Sequence, residues 1–329
     1  MTQAGGVVSV IVNEASGSQT GDKLRESVER AFSLQELGTQ WLPISSQALA
    51  TSREHAVERL IMRAEGRLAV AGGDGTVNAV ASVCRKLRRP LGILPAGTFN
   101  YVARNLGLPT DMDAAAEVIA HGRPAPVHVG EINGRLFLNN AGFGLYSDVI
   151  ERREQDKRRF GRRRIVAFVS GMRCLAEPHP VHRIQITADG REHELRTTTL
   201  FFGVNALQLA NYNVEAARFV ERGELAVLSL RLDSRLDIAA AAAAALFGKL
   251  EAARSVDATH ASSVRVTTRR RSLKVAIDGE IVMLQTPLRV RMVPGGLHVM
   301  LPIASAADQE QKAMGAGEKS GEHPCLAIS

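Results

Sequence analysis

Residues 68–78, which read LAVAGGDGTVN, decide how the first part of this sequence folds. The stretch begins as an apolar run typical of a buried parallel strand and continues, through three glycines, into a helical pattern. Glycines at a strand-to-helix turn allow backbone N–H groups to approach a phosphate closely, and the helix N-terminus adds a favourable partial charge. The stretch therefore predicts an α/β domain with a phosphate-binding loop at residues 72–76.

Asp74 places a carboxylate inside this loop. A carboxylate repels phosphates unless it holds Mg²⁺, directly or through water, or handles a proton, so Asp74 indicates metal-assisted phosphate chemistry. The alternative is a purely structural turn in which Asp74 caps the helix that follows.

The neighbouring segments alternate between strand and helix patterns. We expect strands at 6–12, 40–44, 67–71 and 91–94, and helices at 22–37, 52–64 and 76–86. This alternation predicts a doubly wound parallel sheet covered by helices.

After about Pro124 the pattern changes to short strands joined by tight turns. Asn133-Gly134 and Asp189-Gly190 are hairpin signals. Strands are expected at 127–133, 135–140, 182–188, 192–202, 263–268, 273–277, 286–293 and 297–301, with helices at 161–175 and 236–253. We therefore predict an α/β domain over residues 1–125, an antiparallel β-rich domain over 126–302, and a disordered tail over 303–329.

A second loop, residues 91–98 (LGILPAGT), again follows an apolar strand. In a doubly wound sheet both loops leave the carboxyl ends of strands, where ligands bind. Thr98 and Asn100 are then candidate nucleotide contacts. Arg104 either reaches a phosphate or is a solvated helix residue.

A third candidate site is Asp278-Gly279-Glu280, which lies between apolar strand residues. Asp-Gly is ordinarily a hairpin turn. Two carboxylates flanking one glycine also suit Mg²⁺ positioning or removal of a hydroxyl proton.

Together these segments resemble the diacylglycerol kinase-like lipid kinases, which include bacterial lipid kinases and sphingosine kinases. The matching motifs, in order, are GGDGT (72–76), GILPAGT (92–98), NNAGFG (139–144) and IDGE (277–280). The resemblance implies a phosphofructokinase-like and NAD-kinase-like first domain, a β-rich acceptor domain, and ATP with Mg²⁺ in the cleft. It also implies transfer of the γ-phosphate of ATP to a lipid hydroxyl, with a role in phospholipid biosynthesis.

The resemblance also implies roles for individual residues. Glu280 is the expected proton acceptor, with Asp278 beside it and Asp74 orienting Mg²⁺ or assisting. The expected nucleotide contacts are Asn13, Thr51, Gly72, Gly73, Asp74, Gly75, Thr76, Val77, Asn78, Thr98 and Asn100. Ser45 and Ser46 compete with Thr51 for its role.

The sequence departs from the family pattern at several positions. Tyr101 and Ala79 stand where relatives commonly carry an Asp and a Glu, and Glu14 stands where a Pro often occurs. Arg222 occupies a position where some relatives use an Asp to bind a structural Mg²⁺. We therefore expect no structural metal at Arg222, and an ion pair in its place.

Composition limits the class of protein. The chain has 329 residues, 41 Lys and Arg against 34 Asp and Glu, a net charge of +7, and 45% hydrophobic residues, as a soluble two-domain protein would. The three cysteines, Cys84, Cys174 and Cys325, form neither a disulfide framework nor a metal-ligand pattern. The amino terminus does not resemble a secretory signal, so we expect a cytoplasmic location.

The segment Glu151–Arg164 contains eight Lys or Arg and three Asp or Glu, and an apolar run follows it. Residues Arg152–Arg164 are therefore expected to dock on an anionic membrane surface that presents the lipid, unless they form only a solvated helix face. Aromatic residues make up 4% of the chain, which disfavours nucleic acid as a partner.

Two other functions stay open from the sequence. One is a soluble small-molecule or NAD-type kinase, and the other is a non-catalytic nucleotide-binding regulatory protein. The acceptor lipid and the oligomeric state are not fixed by any motif.

Overall fold

The computed structural model describes residues 6–13, 19–160, 180–210, 216–231 and 256–303. The first part of the chain builds a parallel sheet from β1 (Val7–Asn13), β2 (Gly38–Ile44), β3 (Arg67–Gly72) and β4 (Gly92–Pro95). The spatial order is β2-β1-β3-β4, and all neighbouring pairs are parallel. Most residues of β1, β3 and β4 are buried, because helices cover both faces of the sheet.

Six helices accompany this sheet: α1 (Gln19–Ser33), α2 (Ser46–Thr51), α3 (Arg53–Met62), α4 (Asp74–Leu87), α5 (Tyr101–Asn105) and α6 (Met112–His121). Helices α1 and α6 bury Phe32 and Ile119 with one face of the sheet. Helices α3 and α4 bury Val57 and Val80 with the other face. The predicted doubly wound α/β arrangement is therefore confirmed.

In the second part, twelve strands of the described residues form two six-stranded sheets. They are β5 (Arg123–Ile132), β6 (Arg135–Phe137), β7 (Asn140–Gly144), β8 (His182–Ala188), β9 (Arg191–Thr197), β10 (Thr199–Gly203), β11 (Leu225–Leu230), β12 (Val256–Ala261), β13 (Ser263–Thr267), β14 (Ser272–Ile277), β15 (Glu280–Gln285) and β16 (Leu288–Leu301). The orders are β12-β11-β10-β7-β14-β15 and β6-β5-β16-β13-β8-β9. All the pairs are antiparallel, which confirms the predicted β-rich second part.

The two sheets enclose a core of large apolar side chains. Phe137, Phe143, Phe202 and Leu288 are fully buried in it. The described residues of this part also form three helices: α7 (Leu145–Phe160), α8 (Ala206–Ala210) and α9 (Ala217–Glu221). The alternation of apolar and polar residues along strands such as β13 matches sheets with one buried face.

The long strand β16 connects the two parts. Its residues Leu297 and Val299 belong to the same apolar cluster as Val57 and Val80 of the first part, and Val299 forms a β-bridge with Leu91. The pairing of β16 with β5 shifts register between Val293 and Leu297. The predicted division between residues 125 and 126 falls inside β5 and stays a prediction.

Several predicted strands differ in detail. The strand predicted at 135–140 is interrupted at Leu138 and Asn139, whose N–H groups donate to the carboxylate of Asp278 instead of a neighbouring strand. The strand predicted at 192–202 is divided at Thr198, where the chain passes from one sheet to the other. The strands predicted at 286–293 and 297–301 are one strand with an irregularity.

The sequence patterns did not indicate α2, α5 to α9, β11, β12 or β15, and they reached only the first residue of β7. The short helices have too few turns to show a periodicity, and α7 is too polar to show an apolar face. The helices predicted at 161–175 and 236–253, and nearly all of the tail predicted at 303–329, lie outside the described residues.

Candidate active site

The carboxyl ends of the four parallel strands meet at one edge of the first sheet. The connection after β1 leads to β2 on one side of the sheet, and the connection after β3 leads to β4 on the other side. The two connections therefore run in opposite directions from the gap between β1 and β3. Asn13 ends β1 and Gly72 ends β3 at this point, and their neighbours Val12 and Ala71 are paired. Such a point is where open α/β sheets bind ligands.

The two glycine loops that follow β3 and β4 touch each other. A Cβ on Gly97 would lie 2.5 Å from the Cα of Gly73, a distance that no side chain tolerates. The N–H of Ala96 donates to the carbonyl of Gly72 at 3.1 Å. Glycine is therefore required here because two backbones approach closely.

Asn100 fixes the shape of the second loop. Its Oδ1 accepts from the N–H of Gly97 at 2.9 Å, and its Nδ2 donates to the carbonyl of Gly97 at 3.1 Å. Asn100 has a φ of 50°, which Asn adopts more readily than most residues. Both polar groups of the side chain are thus engaged within the loop, and Thr98 is exposed beside it.

Helix α4 begins directly at the first glycine loop. Gly73 is its N-cap, and Gly73 accepts through its carbonyl from the N–H groups of Thr76 and Val77. The N–H groups of Asp74 and Gly75 have no acceptor within the described part of the chain. A Cβ on Gly75 would meet nothing within 4 Å, so this end of the helix faces open space suited to an anion.

Asp74 is the first residue of α4 and does not cap it. Its Oδ1 accepts from the N–H of Val102 at 2.9 Å and thereby attaches α5 to the first loop. Its Oδ2 makes no hydrogen bond to any described residue. One carboxylate oxygen is therefore structural and the other is available to a ligand.

The Asp278-Gly279 pair is a hairpin turn between β14 and β15, with φ of 45° and 86°. The carboxylate of Asp278 is nevertheless fully engaged. Its Oδ1 accepts from the N–H groups of Asn139 and Asn140 at 2.9 and 2.8 Å. Its Oδ2 accepts from the N–H of Leu138 at 2.7 Å and from Nδ2 of Asn78 at 2.5 Å.

Burial raises the pKa of Asp278 to about 6, although its backbone donors and Asn78 favour the ionised form. All of these donors point at the two oxygens of one side chain. Asp278 therefore holds together the hairpin turn, the 138–140 segment and the first-domain helix α4.

Glu280 follows the turn and forms an ion pair with Arg53 of the first domain. The distance from its Oε1 to Nη2 of Arg53 is 2.5 Å, and the two side chains are 41% and 31% exposed. Arg53 also donates through Nε to the carbonyl of Leu49 at 3.1 Å. Glu280 thus lies at the meeting of both parts of the chain, partly open to solvent.

A buried asparagine network supports the same region. Asn205 is fully buried and donates to the carbonyl of Tyr101 at 3.1 Å and to Oδ1 of Asn139 at 2.7 Å. Asn105 accepts from the N–H of Leu207 at 3.1 Å. The ring of Tyr101 stacks on Phe99 with centroids 5.5 Å apart.

The remaining predicted contacts vary in position. The hydroxyl of Thr51 donates to the carbonyl of Gln47, and the hydroxyl of Ser45 caps α2 by accepting from Ala48. The side chain of Val77 is buried, and its backbone N–H donates to the carbonyl of Gly73. Arg104 is exposed on α5.

Ala79 and Arg222 also depart from the family pattern, and Glu14, another such position, lies outside the described residues. Ala79 is buried inside α4. Arg222 forms the expected ion pair, at 3.6 Å from Glu224, which also lies 3.1 Å from Nδ1 of His260.

Sequence reasoning missed Arg53 and Asn205. Arg53 occurs in an ordinary amphipathic helix and Asn205 in a short loop, so neither carries a local signal. Only the partner residues, Glu280 and the NNAGFG segment, were marked by motifs.

The overall fold is shared with solved structures of known kinases. A crystal structure of a diacylglycerol kinase from Bacillus anthracis str. Sterne matches with a TM-score of 0.62 at 18% identity, over 92% of this chain and 99% of that chain. Yeast NADH kinase complexed with NADH matches with a TM-score of 0.52 at 11% identity, over 98% and 91%. The chain is therefore a protein of the fold class that diacylglycerol kinases and NAD-type kinases share.

Sequence comparison narrows this class. Residues 7–132 match the diacylglycerol kinase catalytic domain. A diacylglycerol kinase of Bacillus subtilis (strain 168) is 30% identical over 186 residues, 55% of this chain and 59% of that protein. One of Staphylococcus saprophyticus is 33% identical over 142 residues, 43% and 46%. The sequence similarity to diacylglycerol kinases thus includes a catalytic-domain match over the first part of the chain, and the chain spans about half the length of these curated relatives.

Among the described residues, no helix is both long enough and apolar enough to cross a membrane.

Proposed function

We propose that this protein is a lipid kinase that transfers the γ-phosphate of ATP to a hydroxyl of a lipid such as diacylglycerol or a related long-chain alcohol. The observation that carries the proposal is the close contact of Gly73 with Gly97 beside the open N-terminus of α4, in a chain with a diacylglycerol kinase catalytic domain. Where the two glycine loops touch, backbone N–H groups can approach a phosphate closely.

The free N–H groups of Asp74 and Gly75 are the expected phosphate donors. The helix that follows has 14 residues, so its N-terminal partial charge is fully developed. Asn13 lies at the neighbouring strand end, where it can contact the nucleotide.

Asp74 is the residue that would hold Mg²⁺, through its free Oδ2 or a bound water. In the described part of the chain no group of three or more His, Cys, Asp or Glu could hold a metal ion. Mg²⁺ ordinarily takes one or two carboxylates together with substrate phosphates and waters, so this donor set fits. When bound, the ion would neutralise negative charge on the phosphate oxygens.

Glu280 is the proton acceptor in this proposal. The acceptor hydroxyl forms a bond to the γ-phosphorus as the bond from that phosphorus to the oxygen of the departing ADP breaks, and Glu280 takes the hydroxyl proton. Asp278 is less suited to this role because its oxygens already accept four hydrogen bonds. Arg53 orients the Glu280 carboxylate.

We further propose that Arg152–Arg164 docks the enzyme on an anionic membrane from the cytoplasmic side. Residues 152–160 of this segment are the last part of α7, and its remaining residues lie outside the described part of the chain. Each cation near an anionic surface contributes about 1 kcal/mol. Pelleting with vesicles that contain anionic lipid, but not with neutral vesicles, is the expected result, and equal pelleting with both would contradict it.

The kinase proposal is tested by incubating the protein with γ-labelled ATP, Mg²⁺ and diacylglycerol in mixed micelles, and in parallel with NAD. Labelled lipid is the expected product. Glu280→Gln should reduce turnover by about 10²- to 10⁴-fold, whereas Glu58→Gln, an exposed carboxylate on α3, should not.

Label in the dinucleotide would instead support the NAD-type kinase. Nucleotide binding without any turnover, with total lipid extract as acceptor, would support the regulatory protein.

A further inference from the structure

A groove of about 840 Å³ lies on the sheet that contains β13 and β16. Its lining includes three arginines (Arg265, Arg289 and Arg291), one carboxylate (Glu131) and neutral polar side chains such as Asn133, Thr187 and Gln285. The volume is in the range of small-molecule sites.

The positive charges of Arg265 and Arg289 lie opposite each other, and neither is balanced by an ion pair with a described carboxylate. Arg265 and Arg289 are directly paired on neighbouring antiparallel strands, and both are exposed. Like charges in this arrangement are destabilising. Neither has a carboxylate within ion-pair distance among the described residues, whereas Arg291 has Glu131 at 2.8 Å.

More positive charge lies at one end of the groove. Thr286, a lining residue, donates through its N–H and its hydroxyl to the carbonyls of Arg271 and Arg270. These two residues and Arg269 form an exposed turn. From residue 258 to 303 the sequence contains seven Lys or Arg and two acidic residues, Asp278 and Glu280.

The groove is distinct from the glycine loops. In the β14–β15 hairpin, Ser272 pairs with Gln285 at the groove end, and Ile277 pairs with Glu280 at the other. Five residue steps along a strand separate these ends by about 17 Å. Asp278 and Glu280 therefore lie away from the groove, and the carboxylate that lines it, Glu131, is paired with Arg85 and Arg291.

We propose that this arginine groove is a second ligand site, which binds a phosphorylated anion between the guanidinium groups of Arg265 and Arg289. Guanidinium groups bind phosphate oxygens in a bidentate manner, and a bound phosphate would remove the repulsion between the two strands. A soluble phosphorylated compound and the headgroup of a phospholipid offer the same chemistry.

The test uses the full chain and two probes. Inorganic pyrophosphate is titrated by calorimetry, and phosphatidylglycerol vesicles are compared with phosphatidylcholine vesicles in pelleting. Arg265→Gln and Arg289→Gln should each weaken binding at least about tenfold, since each removes charge-assisted hydrogen bonds. Arg196→Gln, on the exposed edge strand of the same sheet and outside the groove, is the matched control.

Weakened pyrophosphate binding in the groove variants supports a soluble ligand, and weakened vesicle binding alone supports a phospholipid headgroup. The pyrophosphate binding that remains when Arg265→Gln and Arg289→Gln are combined in one variant measures any contribution of the glycine loops. The proposal is overturned if the wild type binds neither probe, if the groove variants bind both within twofold of the wild type, or if Arg196→Gln loses as much. Because both arginines are exposed, their variants should fold, which thermal unfolding verifies.

Discussion

Asn78 and Asp278, which are 200 residues apart in the sequence, are joined by a hydrogen bond of 2.5 Å from Nδ2 to Oδ2. Asn78 belongs to the helix that starts at the first glycine loop, and Asp278 belongs to the hairpin turn that precedes Glu280. The bond therefore ties the expected phosphate-binding loop to the expected proton acceptor.

Asn78→Ala should lower the free energy of unfolding by about 2 kcal/mol, because it removes a hydrogen bond to a buried carboxylate. Urea denaturation followed by circular dichroism at pH 8 measures the change. Gln185→Ala, an exposed residue of β8, is the control and should change stability by less than about 0.5 kcal/mol. Equal stability of Asn78→Ala and the wild type would show that the bond does not hold the parts together.

The stability of the protein should depend on pH through Asp278. Burial raises its pKa from the usual 3.8 to about 6, so the folded state binds this proton more tightly than the unfolded state. The stability contributed by the protonated group is therefore present below about pH 4 and lost as the pH rises through about 6.

Asp278→Asn should remove this contribution. The difference in melting temperature between wild type and variant, followed by calorimetry from pH 4 to 7, should change most between pH 4 and 6. A constant difference over this range would exclude Asp278 as the titrating group.

Gly75→Ala and Gly97→Ala should differ in their effects on stability. The added Cβ of Gly75 meets nothing, and alanine is about 1 kcal/mol better than glycine inside a helix, so stability should be unchanged or higher. The methyl group would nevertheless occupy the space expected for phosphate, so ATP affinity should fall.

Gly97→Ala forces the two loops apart, because its Cβ would lie 2.5 Å from Gly73. Both stability and ATP affinity should fall. Thermal unfolding with and without ATP separates the two variants, and undiminished ATP affinity in both would exclude the loops as the nucleotide site.

Arg53→Gln should affect turnover more than stability. Exposed or half-exposed ion pairs contribute at most about 1 kcal/mol, so unfolding should change little. Loss of the guanidinium leaves Glu280 poorly oriented, and kcat for lipid phosphorylation should fall about tenfold. Arg85→Gln, which breaks a different ion pair, with Glu131, is the comparison and should leave kcat unchanged.

The sequence indicated the parts of the fold and of the candidate site that depend on local patterns. The apolar runs before residues 72 and 95 predict parallel strands, and Asp278-Gly279 predicts both a hairpin turn and an acidic site. The hairpin turn is present, whereas the role of its two carboxylates in catalysis stays a prediction.

The sequence could not indicate contacts between distant segments. Nothing near residue 138 shows that its N–H donates to Asp278, because that bond joins residues 140 positions apart. For the same reason the sequence does not reveal that Arg53 pairs with Glu280, which lies 227 positions further along the chain. The interruption between β6 and β7 follows from the first of these contacts.

The continuity of β16 limits how the two parts of the chain can separate. Leu297 and Val299 fill the core of the first part, whereas Leu288 and Val290 of the same strand fill the core of the second. A fragment that ends near residue 125 would leave the first core without this strand and expose apolar side chains to water. We therefore expect the two cores to unfold in one cooperative transition, and any closure around a ligand to bend a strand that belongs to both cores.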